Sequence, residues 1–314
     1  MSKICVIGGG TGQSIILKGL KSIENVSLSA IVTVSDDGGS TGILRSEFNV
    51  PGMGDIRNVM VALADEDTIL PQVLNYRFDS LDSKSLGGHN LGNLILTALT
   101  QETGNFMEAV GSVSQILNVE GEIIPASLEN LTLMARMEDG TIVRGESNIP
   151  KFSNRIDEVY YDTSVKATKE AVKAISEADL IVFGVGSIYT SILPNVIIPE
   201  IKEALQNTKA KKIYYCNVMT QPGETDEYTV SDHVFALEKH MDTKLDLVVM
   251  DNNVFPKEYI KKYLEKQSEI VTHDDTLDVS FKLLKHDVVS IEDGLIRHDH
   301  KKIKASFKKI LERI

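Results

Sequence analysis

The feature that most constrains the fold is an apolar run near the N-terminus that leads directly into glycine. The stretch KICVI (3–7) is short and partly β-branched, and it continues into GGGTG, where the helical pattern QSIILKGLKSI begins. A second strand-like run, LSAIVTV, follows and ends at Ser35. A strand, a glycine turn, a helix and a second strand form the start of a parallel βαβ unit.

The same alternation returns in the second half of the chain. The runs DLIVF, KKIYYC and LDLVVM each end in a polar or glycine-rich loop, and helical patterns cover 90–103 and 105–117. These patterns predict a doubly wound, Rossmann-like α/β fold with a mostly parallel sheet. In such a sheet, ligands bind outside the carboxyl ends of the strands, where all of these loops gather.

We expect one domain over 1–314, with an inserted helical and hairpin region around 90–163. The pair Asp139–Gly140 stands between two alternating runs, which is typical of a β-hairpin. The basic segment 301–314 has the pattern of an amphipathic helix that docks on the domain, rather than an interaction tail. The apolar face of this predicted helix consists of Ile303, Phe307, Ile310, Leu311 and Ile314.

Charge and hydropathy exclude several classes of protein. A net charge of -12 argues against non-specific nucleic-acid binding, because phosphate backbones favour a basic surface. No apolar run approaches the roughly 20 residues needed to cross a bilayer, and no signal segment is apparent, so we expect a cytoplasmic protein without a membrane span. Cys5 and Cys216 lie in strand-like runs, which indicates buried thiols rather than disulfides or a zinc site.

The glycine loop after the first strand is the first candidate ligand site. Backbone N–H groups at a helix start, together with the helix dipole, suit a phosphate. The loop is not a Walker A motif, because it has no lysine, and Gln13 takes the place of the last glycine of G-x-G-x-x-G. The alternative is a tight strand-to-helix connection. The candidate phosphate contacts are Gly9, Gly10, Thr11 and Gly12.

Two adjacent aspartates, Asp36 and Asp37, close the second strand-like run ahead of GGSTG, which contains Ser40 and Thr41. In dinucleotide-binding folds an acid at this place holds ribose hydroxyls. A doubled acid also suits Mg²⁺ held between carboxylates and phosphates, and no other cofactor is indicated. The alternative is a solvated Asx turn.

Further polar side chains follow other strands or begin helices. The planar fork of Arg57 matches a phosphate, although an exposed arginine on a capped helix explains the local sequence equally well. A serine nucleophile would need a base and an orienting group, and none is apparent, so no catalytic residue is assigned. The other candidate ligand-binding residues are Gly54, Asp55, Asn58, His89, Asn90, Asn93, Gly186, Ser187, Tyr189, Thr190, Ser191, Asn217, Thr220 and Gln221.

Six of these stretches occur in an order that resembles a known family. They are GGGTG, SDDGGSTG, PGMGDIRN, GHNLGN, GSIYTSILPN and CNVMTQPGET. Their order resembles the CofD-like superfamily, and most closely its bacterial gluconeogenesis factor (YvcK-type) branch; the other branch comprises 2-phospho-L-lactate transferases. The family usually has proline where this chain has Val185.

The resemblance implies a Rossmann-like, often self-associating protein with a nucleotide-type ligand. For the gluconeogenesis factor branch it implies binding of UDP-sugars such as UDP-N-acetylglucosamine. It also implies a role in cell shape and envelope synthesis on gluconeogenic carbon sources, through protein partners. Two hypotheses follow. We expect a nucleotide-sugar-binding regulator, and the alternative is a phosphotransferase in which Asp36 or Asp37 holds Mg²⁺. A nicotinamide-dependent oxidoreductase is disfavoured because G-x-G-x-x-G is incomplete.

Overall fold

The computed structural model describes residues 1–65, 67–79, 81, 83, 85–152, 154–273, 276 and 279–313. Its strands are β1 (Ser2–Gly8), β2 (Val26–Val32), β3 (Glu122–Pro125), β4 (Leu133–Met137), β5 (Ile142–Arg144), β6 (Ile156–Tyr161), β7 (Leu180–Phe183), β8 (Lys211–Tyr215), β9 (Leu247–Asp251), β10 (Lys282–His286), β11 (Val289–Glu292) and β12 (Leu295–His298). Seven of them form the central sheet.

The central sheet has the order β10-β9-β8-β7-β1-β2-β3, and all of its neighbouring strands are parallel. The predicted Rossmann-like fold is confirmed. The strand order reverses between β1 and β7, where Ile4 pairs with Leu180. A crevice opens at such a switch point, outside the carboxyl ends of the strands, and ligands of doubly wound folds bind there.

Helices flank the sheet and begin at its loops. They are α1 (Gly10–Leu20), α2 (Gly39–Phe48), α3 (Gly54–Leu63), α4 (Leu70–Asn75), α5 (Leu91–Thr103), α6 (Phe106–Ile116), α7 (Lys169–Glu177), α8 (Leu193–Val196), α9 (Pro199–Asn207), α10 (Val230–Met241), α11 (Lys257–Leu264) and α12 (His300–Leu311). Some starts are fixed by side chains, as in α10, where Thr229 and Asp232 form a capping box.

The region predicted as an insertion divides between two sheets. Strand β3 pairs with β2 at the edge of the central sheet. Strands β4, β5 and β6 form a separate antiparallel sheet. The hairpin predicted at Asp139–Gly140 is present between β4 and β5, and Gly140 adopts a φ of 85° in its turn, a conformation that favours glycine. A 3₁₀ turn over Glu146–Lys151 then leads back towards the central sheet.

The C-terminal helix α12 packs on α1. Its buried face contains Ile303, Phe307 and Ile310. A side chain on Gly19 of α1 would lie 2.7 Å from the carbonyl oxygen of His300, so the two helices are close. Helix α12 is therefore docked on the domain; Ile314, which we placed on the same face, lies outside the described residues.

Two further expectations concern the cysteines and membrane-spanning helices, and they can be compared with the described residues only. Cys5 and Cys216 are free and buried. Among the helices that the structure describes, none combines the length and the apolar character needed to cross a bilayer.

Candidate functional site

The loops after β1, β7 and β8 meet at the switch point. A side chain on Gly12 would overlap the carbonyl oxygen of Val185, so only glycine permits this approach. Asn217 joins the third loop, because its Nδ2 donates to the carbonyl of Gly186 at 2.9 Å and its Oδ1 accepts from the N–H of Gly186 at 3.2 Å. The structure thus places the glycine loop beside Gly186 and Asn217.

Two carboxylates converge beside this junction. Asp36 accepts the N–H of Gly38 at 2.9 Å, and its other oxygen lies against Gly54, where a side chain would collide with it. The carboxylate of Asp55 lies in the same way against Gly9, and a Cβ on Gly10 would lie 3.3 Å from Asp55 Oδ1. Asp36 and Asp55 therefore stand among the first turns of α1, α2 and α3.

Burial and repulsion between carboxylates raise the pKa values of Asp55 and Glu146. Burial, and then the charge of Asp36, raise the pKa of Asp55 to about 7, against the opposing charge of Arg57. The pKa of Glu146 rises to about 8, first through burial and then through the charges of Asp36, Asp55 and Asp37. These carboxyl groups disfavour one another's ionisation, and a bound cation would relieve that repulsion.

Asp37 has a different environment from Asp36. Its two carboxylate oxygens accept the N–H groups of Glu146 at 3.0 Å and of Ser147 at 2.9 Å, at the start of the 3₁₀ turn. Gly145 leaves room for this contact, since a side chain there would lie 2.7 Å from Asp37 Oδ2. Asp37 thus attaches the antiparallel sheet to the crevice, and its predicted contact with a ligand remains a prediction.

Arg57 is a buried cation with neutral partners. Only 8% of it is exposed. Its Nη1 donates to Asn93 Oδ1 at 3.4 Å, and its Nη2 donates to Asn58 Oδ1 at 2.5 Å. Within the described ranges, its Nε has no hydrogen-bond partner and no carboxylate forms a salt bridge with it. An anion is the missing partner of such a group.

A polar cluster connects Arg57 to the start of α5. The hydroxyl of Ser40 is 3.1 Å from Nδ1 of His89, and Asn93 donates its Nδ2 to Ser40 at 3.4 Å and to Thr41 at 3.3 Å. Asn90 caps α5 through the N–H of Asn93. Five predicted site residues are therefore brought together, although they come from two distant stretches of the chain.

Several other predicted site residues have partners within the protein. Ser187 and Thr190 donate to Glu224, a buried carboxyl whose pKa is raised to about 7 mainly by burial. The hydroxyl of Tyr189 pairs with that of Tyr228 at 2.8 Å. Thr220 Oγ1 accepts the N–H of Glu269 at 2.8 Å, while Ser191 lies beside Gly186. The structure gives these residues internal contacts, and their contact with a ligand stays a prediction.

Two site residues were not predicted from the sequence. Arg45 is buried and donates to the carbonyls of Ser35 at 2.9 Å and Asp36 at 2.7 Å, and also to Asn130, so that it fixes the loop after β2. Glu146 reaches the acids because Asp37 binds the backbone beside it. The sequence around Arg45 and Glu146 does not indicate their roles, because each residue contacts a partner far away in the chain.

A cavity of about 460 Å³ extends the crevice towards β8. Its wall begins at Thr11 and Gly12, includes Gln221, and reaches Tyr263 of α11 and Ile296 of β12. Among the described residues, no group of three or more His, Cys, Asp or Glu side chains is placed to hold a metal ion. Protein ligands alone therefore do not complete a metal site here.

The sequence matches a known protein family over most of its length. The family model described as "2-phospho-L-lactate transferase CofD" matches residues 4–291. The chain is 44% identical over 305 residues to the "Gluconeogenesis factor" of Bacillus subtilis, covering 96% of this chain and 95% of that protein. It is 43% identical over 307 residues to the "Putative gluconeogenesis factor" of Thermotoga maritima, with 96% of each chain covered.

A solved structure supports the same relationship. The crystal structure of a member of the UPF0052 family from Bacillus halodurans superposes with a TM-score of 0.91 at 42% identity. The superposition covers 98% of this chain and 99% of that chain. The likeness therefore extends over the whole fold, including the loops that form the crevice.

Proposed function

This chain belongs to the CofD family, and from that premise we propose that it binds a nucleotide sugar of the UDP-sugar class, such as UDP-N-acetylglucosamine. The bound ligand regulates its action on protein partners. The proposal combines what family membership suggests about the ligand with what the crevice offers chemically. Different side chains and helix starts in the crevice would bind a diphosphate, a cation and a sugar.

The observation that carries the proposal is the buried guanidinium of Arg57, which makes no salt bridge among the described residues although the charges of Asp36 and Asp55 act on it. Burying a guanidinium without an ion pair costs free energy, and the structure shows only amide partners for it in the described residues. A phosphate oxygen that approaches Nε and Nη would recover that cost through charge-assisted hydrogen bonds. The arginine is therefore preorganised for an anionic ligand.

The helix starts around Arg57 support the same ligand. The N-cap residues of α1, α2 and α3 are Gly9, Gly38 and Met53, and none of them caps its helix through a side-chain hydrogen bond. Their first N–H groups and the positive ends of their dipoles suit phosphate oxygens. We place the diphosphate between α1 and Arg57.

Mg²⁺ is the cation that this arrangement suits. Asp36 and Asp55 supply carboxylates beside the diphosphate position, whereas the oxygens of Asp37 accept two backbone N–H groups. Mg²⁺ is commonly bound by one or two carboxylates together with substrate phosphates, which agrees with the small number of protein ligands. When bound, the ion would neutralise the diphosphate.

The physiological part of the proposal rests on the relatives. Those of Bacillus subtilis and Thermotoga maritima carry the names "Gluconeogenesis factor" and "Putative gluconeogenesis factor". We propose that this chain is likewise a gluconeogenesis factor, and the family resemblance leads us to propose a role in cell shape and envelope synthesis during growth on gluconeogenic carbon sources. A cytoplasmic location, self-association and partners in envelope synthesis belong to the same proposal.

A second candidate function is phosphotransfer, which the family model favours because its description is that of a transferase. Asp36, Asp55 and Arg57 would serve this reaction equally well, since they bind the activated diphosphate in both cases. Turnover separates the two functions. Release of the nucleoside monophosphate in the presence of an alcohol acceptor and Mg²⁺ would identify a transferase.

The test of binding is calorimetry with UDP-N-acetylglucosamine, with and without Mg²⁺, on the wild type and on Arg57→Gln. A ligand at 100 times its Kd should raise the free energy of unfolding by about 2.7 kcal/mol. We expect Arg57→Gln to weaken binding by about 1.5 to 3 kcal/mol, the value of a hydrogen bond to a charged group.

The matched control is Arg144→Gln, which removes an exposed arginine that pairs with Asp162. It should leave the affinity unchanged. Equal affinities of wild type and Arg57→Gln would exclude Arg57 from the site, and the absence of binding by the wild type would refute the proposed ligand.

A further inference from the structure

The two halves of the crevice differ in chemistry. The half beside β2 contains the carboxylates of Asp36 and Asp55, with Glu146 facing them. The half beside β8 is the cavity of about 460 Å³, a volume within the usual range of small-molecule pockets. Its wall includes Ile15 and Ile296 together with Arg297 and His298, and none of the described residues that line it is an aspartate or a glutamate.

Thr11 and Gly12 belong to the wall of this cavity, and they also form the first turn of α1. A ligand whose phosphates lie at that turn therefore has one end on the β8 side and the other on the β2 side. The cavity and the acids are the two places available to its base and its sugar.

We propose that the nucleobase of the ligand occupies the β8-side cavity and that its sugar lies over the acids beside β2. This inference rests on the proposed function. It reverses the arrangement of dinucleotide-binding folds, in which an acid after the second strand holds the ribose and the base lies on that side.

Desolvation is the first physical reason for this orientation. A flat base laid over Asp36 and Asp55 would remove water from carboxylates without offering enough donors in return, which is costly. The hydroxyls of a sugar can each donate a hydrogen bond to a carboxylate oxygen. The apolar part of the cavity wall, which includes Ile15, Met219 and Ile296, suits an aromatic base.

The wall of the cavity also presents a rigid aromatic surface. The hydroxyl of Tyr263 donates to the carbonyl of Ile296 and accepts its N–H, both at 2.9 Å. Both bonds are made by the hydroxyl group, so they fix the ring in the cavity wall without involving the face of the ring. A fixed ring can pack against a base at low cost in side-chain entropy.

Gln221 supplies the polar contact that the base needs. Its Oε1 accepts Nδ2 of Asn217 at 3.3 Å, so the orientation of the amide is set. Across the described part of the chain, its Nε2 makes no hydrogen bond. A carbonyl oxygen on the base is the acceptor that this N–H would bind.

The experiment divides the ligand into two halves. Affinities for uridine monophosphate and for N-acetylglucosamine 1-phosphate are measured by calorimetry for the wild type and three variants. Ile15→Trp fills the cavity, Gln221→Glu replaces its donor by an acceptor, and Asp36→Asn removes charge from the acid half. We expect Gln221→Glu to weaken uridine monophosphate binding about tenfold, which corresponds to one hydrogen bond near 1.4 kcal/mol. Ile15→Trp should weaken it at least tenfold by blocking the cavity, and both variants should spare the sugar phosphate.

When both half-ligands are measured without Mg²⁺, so that Asp36 does not act as a metal ligand, Asp36→Asn should show the opposite selectivity, with the sugar phosphate weakened and uridine monophosphate spared. Val172→Trp is the matched control for Ile15→Trp, because Val172 is also a partly buried β-branched residue on a helix but lines a separate groove. Reversed selectivity, or equal losses for both half-ligands, overturns the proposed orientation. If the wild type binds UDP-N-acetylglucosamine but gives either of these results, the proposed function stands and only the orientation is refuted. If the wild type binds none of the ligands, both proposals are refuted.

Discussion

At the residue scale, Asp36 and Asp37 are adjacent in the chain but have different partners. Asp36 faces Gly54 and the start of α3, where a ligand would bind. Asp37 accepts two backbone N–H groups from Glu146 and Ser147. A carboxylate that caps a distant turn contributes to stability, whereas one beside a glycine helix start is available to a ligand or a cation.

Substitution of the two aspartates should therefore have different effects. Asp37→Asn turns an acceptor oxygen into a donor that faces N–H groups, and we expect it to lower the free energy of unfolding by about 1 to 3 kcal/mol. Urea denaturation measures this loss, with Asp36→Asn as the matched control. Unchanged stability together with lost ligand affinity in Asp37→Asn would instead establish Asp37 as a direct ligand contact.

At the scale of elements, the C-terminal helix α12 shows how an amphipathic pattern is used. Its apolar face packs on α1, and Gly19 permits the close approach of the two helices. Its lysines occupy the other side, where Lys301 and Lys308 are exposed. The helix therefore completes the packing around α1, the helix whose first turn is the proposed phosphate-binding position.

Truncation of the buried face of α12 should destabilise the protein. Phe307 is fully buried, and we expect Phe307→Ala to cost about 3 to 5 kcal/mol through lost burial and the cavity left behind. Thermal and urea unfolding measure the loss. Lys308→Ala, one residue further on the exposed side, should change the stability by less than about 0.5 kcal/mol. A Phe307→Ala protein with wild-type stability would show that α12 is not docked in solution.

At the scale of the whole molecule, a net charge of -12 is accompanied by a concentration of acids at the crevice. Asp55, Glu146 and Glu224 all have pKa values raised above their ordinary values of 3.8, 4.5 and 4.5. In each case burial is the largest cause. At these three groups the folded protein therefore binds more protons than the unfolded chain between about pH 4 and 8. Burial lowers the pKa values of His233, His240 and His298 from 6.5, and these groups act in the opposite direction below about pH 6.5.

This linkage fixes the sign of the pH dependence. Where the folded state binds more protons, the free energy of unfolding falls as pH rises, so these groups stabilise fully below about pH 4 and lose that effect through about pH 7 to 8. We expect the ligand-free protein to be less stable at pH 8.5 than at pH 6, as measured by urea denaturation. Glu146→Gln should flatten the profile, and Glu258→Gln on α11 serves as its control. Rising stability over this range would contradict the assignment.

The sequence by itself determined the parallel α/β fold, the glycine loops, the hairpin and the amphipathic C-terminal helix. These features depend on neighbouring residues, because the period of the apolar pattern and the places of glycine decide them locally. The order of the loops along the chain also predicted that they would meet at one edge of the sheet, since the carboxyl ends of parallel strands lie together.

The tertiary structure alone decided which acids face the ligand position. It separated Asp36 from Asp37, brought Asp55 and Glu146 to the crevice, and buried Arg57 without a carboxylate partner among the described residues. Each result depends on contacts between residues far apart in the chain, and such contacts follow from packing rather than from local patterns. The burial that raises the pKa values of Asp55 and Glu146 exists only after the sheet and its insertion have come together.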